Sequence, residues 1–409
     1  MKRFADSASH FLTLATVKAN FCILVIATLI ASCKGLKSTT ETAPIICWKK
    51  VLNDVDTVFL ITKSGDTLPD LAQEVDLAIY PWQPDSISIA AVGDIMTGTN
   101  FPNTSFLPAS TGEYLWQDVR SILAAADITF GNLEGTILND GGEQKSCSNP
   151  DLCYLFRTPK HLTANFTAAG FDLMSVANNH ANDFGTTGRE TTQSVLDSLG
   201  IAHAGSIEAP YTVTKIGKIK VGFCAFAPNR GTISIHNYKT IKSILVHLDS
   251  ISDIVVASFH AGAEGAKHQH VTRKREFYYR EDRGNVYELA HLMVENGADV
   301  VLGHGPHIVR AVEVYKDRFI AYSLGNFLTY GRFNLRGLAG EAPLIKIYVD
   351  HKGRFISGKI HSFRQYYDLG PRNDPTLSSV RTIQRLSLMD FPQNPIEIDQ
   401  TGDITYKKD

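Results

Sequence analysis

Strand-like apolar runs recur along the chain and alternate with helix-like segments. Apolar residues at i, i+3, i+4 and i+7 predict amphipathic helices over 162–169, 191–199 and 286–294. A late hairpin is expected over 343–363. Strands and helices in alternation predict a mostly parallel sheet with helices on its faces, that is, an α/β fold. The predicted strands cover 86–92, 127–131, 172–177, 219–226, 253–259, 299–303 and 319–323.

Short polar signals follow the predicted strands. In open α/β sheets, ligands gather at the carboxyl ends of the strands, so these side chains are expected to meet there. Carboxylate, amide and imidazole groups are metal ligands, and their order along the chain predicts a metal site. The signals are Gly93 with Asp94, Asn132 with Glu134, Asn178 with Asn179 and His180, His260 with Glu264, His304 with His307, and Ser323 through Asn326.

Each signal is weak alone, because Gly-Asp and Asn-rich turns are common. Glu134 is a hard oxygen ligand of the kind that Mg²⁺ or Mn²⁺ prefers. His180 can act as an acid or base, and Asp183, three residues later, is placed to orient its ring. Three histidines at two strand ends, namely His260, His304 and His307, favour a borderline or first-row metal such as Zn²⁺, Mn²⁺ or Fe.

The N-terminus indicates export. Lys2 and Arg3 precede an apolar run over 21–31, which is too short to cross a bilayer but suits a signal peptide. Ser32-Cys33 ends this run like a bacterial lipobox, so Cys33 is expected to carry lipid and to tether the protein to a membrane surface. The alternatives are an ordinary signal peptide and an uncleaved anchor.

Cysteine usage agrees with an oxidising compartment. Cys147 and Cys153 flank a turn-rich loop that a disulfide could close. The net charge of −2 gives no support for nucleic-acid binding. The predicted organisation is a lipoprotein signal peptide over 1–32, a tether over 33–45, an N-terminal extension over 46–85, the main domain over 86–363 and a C-terminal extension over 364–409.

Taken together, the polar signals resemble the motif series of CapA-type capsule and poly-γ-glutamate biosynthesis proteins, over about residues 86–345. That family is similar to calcineurin-like metallophosphoesterases, which implies a β-sandwich flanked by helices. The resemblance implies one or two divalent ions (Mn, Zn, Fe or Mg), an anionic polymer substrate and a capsule synthesis or export complex as partner. It implies the metal ligands Asp94, Glu134, Asn179, His260, and His304 or His307, the catalytic residues His180, Asp183 and Glu264, and the substrate-binding residues Asn132, Asn178, Ser323 and Asn326.

Two functions remain open at this point, and a purely structural domain is the least favoured third alternative. The first is a surface-anchored metal-dependent hydrolase or transferase that acts on an amide or phosphoester bond of the polymer. The second is a non-catalytic scaffold that binds polymer, in which Arg230, Arg273 and Arg275 would matter more than the metal ligands.

Overall fold

A computed structural model of the chain describes residues 45–47, 59–61, 86–147 and 153–408. The chain divides into two units, Met1–Pro81 and Trp82–Asp409. In the first unit, β1 (Ile45–Cys47) pairs antiparallel with β2 (Phe59–Ile61). The predicted signal peptide, Cys33 and the tether up to residue 44 lie outside the described residues. No helix among the described residues combines the length and apolarity needed to span a membrane.

Nine strands of the second unit form sheet A. The strands are β3 (Ile87–Met96), β4 (Ile128–Leu133), β7 (Leu173–Ser175), β8 (Ala202–Ala204), β17 (Asn326–Thr329), β18 (Leu344–Val349), β19 (Phe355–His361), β22 (Ile396–Ile398) and β23 (Asp403–Tyr406). Their order is β22-β23-β19-β18-β3-β4-β7-β8, and β17 also pairs with β3. The strands from β3 to β8 in this order run parallel.

Six strands form sheet B. The strands are β9 (Tyr211–Ile216), β10 (Ile219–Phe226), β11 (Ile254–His260), β14 (Val300–His304), β15 (Val312–Tyr315) and β16 (Arg318–Ala321). Their order is β15-β16-β14-β11-β10-β9. The four inner strands are parallel and the two edge strands are antiparallel to their neighbours.

Six helices and three two-stranded pieces complete the described part of the second unit. The short pieces pair β5 (Thr136–Ile137) with β6 (Arg157–Thr158), β12 (Phe277–Tyr278) with β13 (Glu281–Asp282), and β20 (Phe363–Tyr366) with β21 (Gly370–Asn373). The helices are α1 (Arg120–Leu123), α2 (Ala164–Ala168), α3 (Gly185–Ser198), α4 (Tyr238–Ile251), α5 (Val286–Glu295) and α6 (Ser378–Asp390).

The two sheets pack face to face, and helices cover their outer faces. Side chains alternate along each strand, so one set faces the other sheet and the next set faces a helix. On β3, Ile89 belongs to the core between the sheets, whereas Val92 belongs to the outer core that includes α2 and α3. Burial on both faces explains why these strands read as continuous apolar runs.

Strand register brings the polar signals together at one end of each sheet. In sheet A, Asp94 lies opposite both Asn132 and Asn326. In sheet B, His260 lies opposite His304. The two sets meet, because His304 Nδ1 lies 3.3 Å from Asp94 Oδ1. The site therefore lies where the carboxyl ends of both sheets converge.

The predicted α/β class, with a β-sandwich flanked by helices, is confirmed. All seven predicted strands are present, and so is the late hairpin, as β18 and β19. The boundary placed at residue 363 does not separate two units, because β23 pairs with β19 and extends sheet A. Ile383 of α6 and Ile404 of β23 are buried in the core between the sheets. The tail thus completes the main domain.

A buried ion pair holds the segment that follows His260. The guanidinium of Arg310, which is fully buried, donates to both carboxylate oxygens of Glu276, at 2.9 and 2.8 Å. Glu276 also accepts from the backbone N–H of Ala263, and Arg310 donates to the carbonyl of the same residue. The pair therefore fixes the backbone between His260 and Glu264.

We predict that Arg310→Met lowers the free energy of unfolding by about 3–5 kcal/mol, because the buried Glu276 carboxylate loses its partner. Urea unfolding measures this change. Glu113→Ala, which breaks an exposed pair with Arg120, is the control and costs at most about 1 kcal/mol. The double variant Glu276→Leu, Arg310→Met should recover most of the loss. Equal stability of Arg310→Met and the parent would contradict the assigned role.

Candidate metal centre

Glu134 lies at the middle of the candidate site. Its carboxylate is fully buried directly after β4, and its backbone N–H donates to the carbonyl of Ile95. Three imidazole Nε2 atoms surround one oxygen, Oε1. They belong to His307 at 3.5 Å, His180 at 3.8 Å and His260 at 3.9 Å. These three histidines come from three different strand ends, as the sequence predicts.

Asp94 provides the second carboxylate. His307 bridges the two acids, because its Nδ1 lies 2.9 Å from Asp94 Oδ2 while its Nε2 faces Glu134. Asp94, Glu134 and His307 each offer a ligand atom, and these atoms all lie within 4.8 Å of one another. This spacing suits three ligands around a single ion.

Several buried polar atoms around this cluster have no hydrogen-bond partner among the described residues. They are both carboxylate oxygens of Glu134, both ring nitrogens of His260, Nε2 of His304 and Oδ1 of Asn179. A buried polar group without a partner costs about 1–3 kcal/mol, and a charged one costs more. Such atoms persist where something else binds them. Oxygen and imidazole donors together suit Mn²⁺, Zn²⁺ or Fe, so the residues fit a divalent metal.

The electrostatics favour a positive charge between the two acids. Burial, reinforced by the charge of Asp94, raises the pKa of Glu134 well above its ordinary range. Burial also raises the pKa of Asp94, but His304 and His307 outweigh it and hold that pKa below its usual value. Burial opposes the protonated form of His307, yet Glu134 and Asp94 raise its pKa to about 10. The carboxylates thus draw a cation to the site.

Asp183 orients the ring of His180. Its Nδ1 lies 2.7 Å from Asp183 Oδ2, which leaves Nε2 facing Glu134. Burial lowers the pKa of His180, although the charge of Asp183 opposes this. Lys145 forms an ion pair with the other oxygen of Asp183 and donates to the carbonyl of Asn179. The neutral ring therefore donates its Nδ1 proton to Asp183 and offers a lone pair at Nε2.

Two backbone features allow the strand ends of the two sheets to converge at the site. A Cβ on Gly93 would lie 1.9 Å from the carbonyl oxygen of Gly325, so only glycine allows β3 to approach the chain there. The neighbouring Asp94 N–H donates to that same carbonyl. His307 has φ of 56°, a left-handed conformation that is uncommon outside glycine and is often found at functional sites.

The four residues expected to bind substrate are buried and form hydrogen bonds within the protein. Asn132 donates to Asp94 Oδ1, and Asn178 donates to the carbonyl of Leu133. Ser323 donates to the carbonyl of Ile308, while Asn326 donates to that of His307. All four are at most 2% exposed, so little of their polar surface faces open space. Their hydrogen bonds favour a role in positioning the candidate metal ligands. Direct contact with substrate stays a prediction.

Glu264 lies at the rim rather than in the ligand cluster. Its carboxylate accepts from Arg283 Nη2 at 2.8 Å, and the side chain is 20% exposed. Its charge raises the pKa of both Glu134 and His307, so it is close enough to act on the centre electrostatically. A catalytic role for Glu264 stays a prediction.

Two aromatic rings lie beside the histidines of the centre. The ring of Phe156 is tilted by 34° against the ring of His180, with centroids 4.2 Å apart. Phe333 stacks on Phe156 at 5.0 Å and meets the ring of His307 edge-on at 5.5 Å. We call Phe156 and Phe333 the aromatic wall. The sequence gives no signal for this wall, since both residues lie in irregular segments outside the motifs.

A disulfide joins Cys147 to Cys153 in the structure. The bridge closes the loop that lies between Lys145 and the aromatic wall residue Phe156.

Lys145 and Arg310 are further residues that support the site and that sequence patterns miss. The only available signal for Lys145 is its place two residues before Cys147.

Solved structures align to the chain at low sequence identity. A 5'-nucleotidase precursor from Thermus thermophilus aligns with a TM-score of 0.40 and 12% identity, covering 75% of this chain and 58% of that chain. A purple acid phosphatase from yellow lupin aligns with a TM-score of 0.37 and 16% identity, covering 69% of this chain and 53% of that chain. No functional conclusion follows from likeness at these TM-scores.

Three relatives are each 26% identical to the chain. They are the PGA biosynthesis protein CapA of Bacillus subtilis, the capsule biosynthesis protein CapA of Bacillus anthracis, and a probable polyglutamine synthesis accessory protein of Mycobacterium tuberculosis. The matches cover 61%, 60% and 52% of this chain, and 65%, 60% and 58% of the relatives. The chain thus spans less than two thirds of the length of each relative.

A family model described as bacterial capsule synthesis protein PGA_cap matches residues 88–330. The matched segment is more than half of the 409-residue chain. It contains every metal-ligand candidate, from Asp94 to His307, and the loop that carries His180. The chain therefore belongs to the bacterial capsule synthesis protein PGA_cap family.

Proposed function

We propose that the protein is a metal-dependent hydrolase or transferase that acts on an anionic capsule-type polymer such as poly-γ-glutamate. The observation that supports catalysis is the buried Glu134 carboxylate, whose oxygens have no hydrogen-bond partner among the described residues while three imidazoles face one of them. A purely structural domain gains nothing from leaving these groups unpaired. The names of the relatives, which refer to capsule, PGA and polyglutamine synthesis, support the choice of polymer.

The chain supplies binding and proton transfer. Asp94, Glu134, His260 and His307 would hold the metal, together with Asn179 and His304. When bound, a divalent metal polarises a carbonyl or phosphoryl oxygen and lowers the pKa of bound water. His180 Nε2 accepts a proton from the attacking group, while Asp183 stabilises the imidazolium that forms. The same proton then passes from Nε2 to the leaving group.

The scaffold alternative receives little support from one of the arginines expected to serve it, because Arg275 forms an ion pair with Asp282 at 3.2 Å. Arg273 lies over the ring of Tyr287, 4.6 Å from its centroid, which restricts the guanidinium without cancelling its charge. We favour the enzyme because of the buried Glu134 carboxylate, and we propose that polymer recognition lies nearer the metal centre.

We further propose that the protein works at a membrane surface, in a capsule synthesis or export complex. The proposal depends on the N-terminal signal and on lipidation of Cys33. Radiolabelled palmitate should label the parent expressed in a bacterial host and should not label Cys33→Ser. Equal labelling of both proteins would contradict lipidation at Cys33.

The full-length protein is predicted to bind one or two equivalents of a divalent transition metal. Glu134→Gln keeps the shape of the side chain but removes its charge, so metal affinity should fall by more than about tenfold. Mass spectrometry after equilibrium dialysis measures the metal content. Added metal should also raise the melting temperature of the parent by several degrees, and it should not do so in the variant.

Glu313→Gln is the matched control for this experiment. Glu313 is a buried glutamate in sheet B that pairs with His291 at 2.9 Å and with the hydroxyl of Tyr322. The control makes the same charge change at a buried glutamate that also faces a histidine, so it should keep the metal content of the parent. Equal metal content in the parent and in Glu134→Gln would contradict the assigned centre.

His180→Asn should reduce kcat by about 10²–10⁴-fold without loss of metal, because the proton acceptor is removed while the ligands remain. Asp183→Asn should reduce kcat less, since the ring keeps Nε2 but loses its ionised partner.

Bis(p-nitrophenyl) phosphate and γ-glutamyl-p-nitroanilide are suitable probes, since they separate phosphodiester from amide cleavage. Turnover by His180→Asn at the rate of the parent would exclude this residue from catalysis. Metal binding without turnover of either probe or of the polymer would favour the scaffold.

A further inference from the structure

Arg332 lies at the outer end of the aromatic wall. Its guanidinium carbon is 5.0 Å from the ring centroid of Phe106 and 5.0 Å from that of Tyr154. The next residue, Phe333, stacks on Phe156. The segments 332–333 and 154–156 therefore lie side by side, with an arginine–tyrosine contact beside the phenylalanine pair.

The positive charge of Arg332 is not neutralised within the described residues. No carboxylate among them forms an ion pair with it, and the one hydrogen bond of its side chain is a long contact of 3.4 Å from Nη1 to the carbonyl of Phe101. Three other cations near the centre differ. Lys145 pairs with Asp183, Arg283 with Glu264, and Arg310 with Glu276.

Aromatic contacts on two sides restrict the guanidinium without cancelling its charge. A guanidinium held this way is pre-organised, so less conformational entropy is lost when it binds an anion. Its planar donor face matches carboxylate and phosphate oxygens, which it can bind through two parallel hydrogen bonds. The residue is half-buried, and Tyr154 beside it is 43% exposed, so a ligand can reach it.

A short series of contacts links Arg332 to the centre. Arg332 contacts the ring of Tyr154, which lies two residues before Phe156, so at most about 7 Å of chain separates these two backbone positions. Phe156 in turn contacts the ring of His180. A linear polymer that has one unit at the metal centre can therefore reach Arg332 with another unit.

We propose that Arg332 is a specificity-determining residue that binds an oxyanion on a different unit of the polymer from the one undergoing reaction. The site then selects linear chains with repeated negative charge over single anions. This inference rests on the proposed function and adds to it the residue that recognises the polymer. Carboxylate and phosphate chains share the required chemistry.

Equilibrium binding to the full-length, metal-loaded protein tests the inference. The probes are a γ-linked glutamate oligomer and a polyphosphate of matched length, each compared with its single unit, glutamate or inorganic phosphate. Arg332→Gln should weaken binding of an oligomer about tenfold, as expected for loss of a charge-assisted hydrogen bond, and should leave single-unit binding unchanged. Arg332→Lys should retain part of the affinity, because the charge remains.

Arg336→Gln is the matched control. It makes the same charge change four residues later in the same loop, at an exposed side chain that forms no ion pair among the described residues. It should bind both oligomers like the parent. Tyr154→Ala, which removes one ring from Arg332, provides a second test at an exposed position and should weaken oligomer binding less than Arg332→Gln does.

The outcomes separate the ligand sources and the two proposals. Loss of affinity for the glutamate oligomer alone assigns a carboxylate chain, and loss for polyphosphate alone assigns a phosphate chain.

The inference is overturned if Arg332→Gln behaves like Arg336→Gln, or if it weakens binding of single units equally. In that case, turnover that depends on His180 would leave the proposed function intact. Failure of the parent to bind either oligomer would overturn the inference, whereas absence of metal in the parent would instead overturn the proposed function.

Discussion

The buried carboxylate of Glu134 is the constraint around which the site is organised. A carboxylate removed from water without partners is costly, and here a second acid, Asp94, lies close enough to raise its pKa further. The surrounding imidazoles reduce this cost only in part, since both nitrogens of His260 are themselves unpaired among the described residues. A cation bound among these groups would make the arrangement favourable. The proposed metal site therefore gives a physical reason for the arrangement of these residues.

The rest of the domain keeps these groups in place. Sheet A supplies the acids and sheet B supplies two of the histidines, so the face-to-face packing of the sheets determines the ligand geometry. Asn132 holds Asp94 from below, and the Arg310–Glu276 pair fixes the segment after His260. Close approach at Gly93 and the left-handed conformation of His307 show that the backbone is adapted to the site as well.

The sequence predicts much of this arrangement because strand ends are easy to recognise. Apolar runs buried on both faces locate β3, β4, β11 and β14, and the polar residues that end them converge as expected. The direction in which each side chain points and the extent of its burial are harder to predict. Asn132 and Asn178 follow predicted strands just as Glu134 does, yet their side chains form hydrogen bonds within the protein. Contacts between distant segments, such as Arg310 with Glu276 or Phe333 with Phe156, leave no local pattern.

The family match and the site geometry support different parts of the account. The family model places the chain among bacterial capsule synthesis proteins, and the relatives are named for PGA, capsule and polyglutamine synthesis, whereas the geometry supports the proposed chemistry. X-ray diffraction from crystals of the metal-loaded protein, recorded at the absorption edge of the bound metal, tests the central claim most directly. The account predicts an anomalous peak about 2.0–2.2 Å from Glu134 and from at least one of His260 and His307. A metal bound elsewhere, with no peak between Asp94 and Glu134, would contradict it.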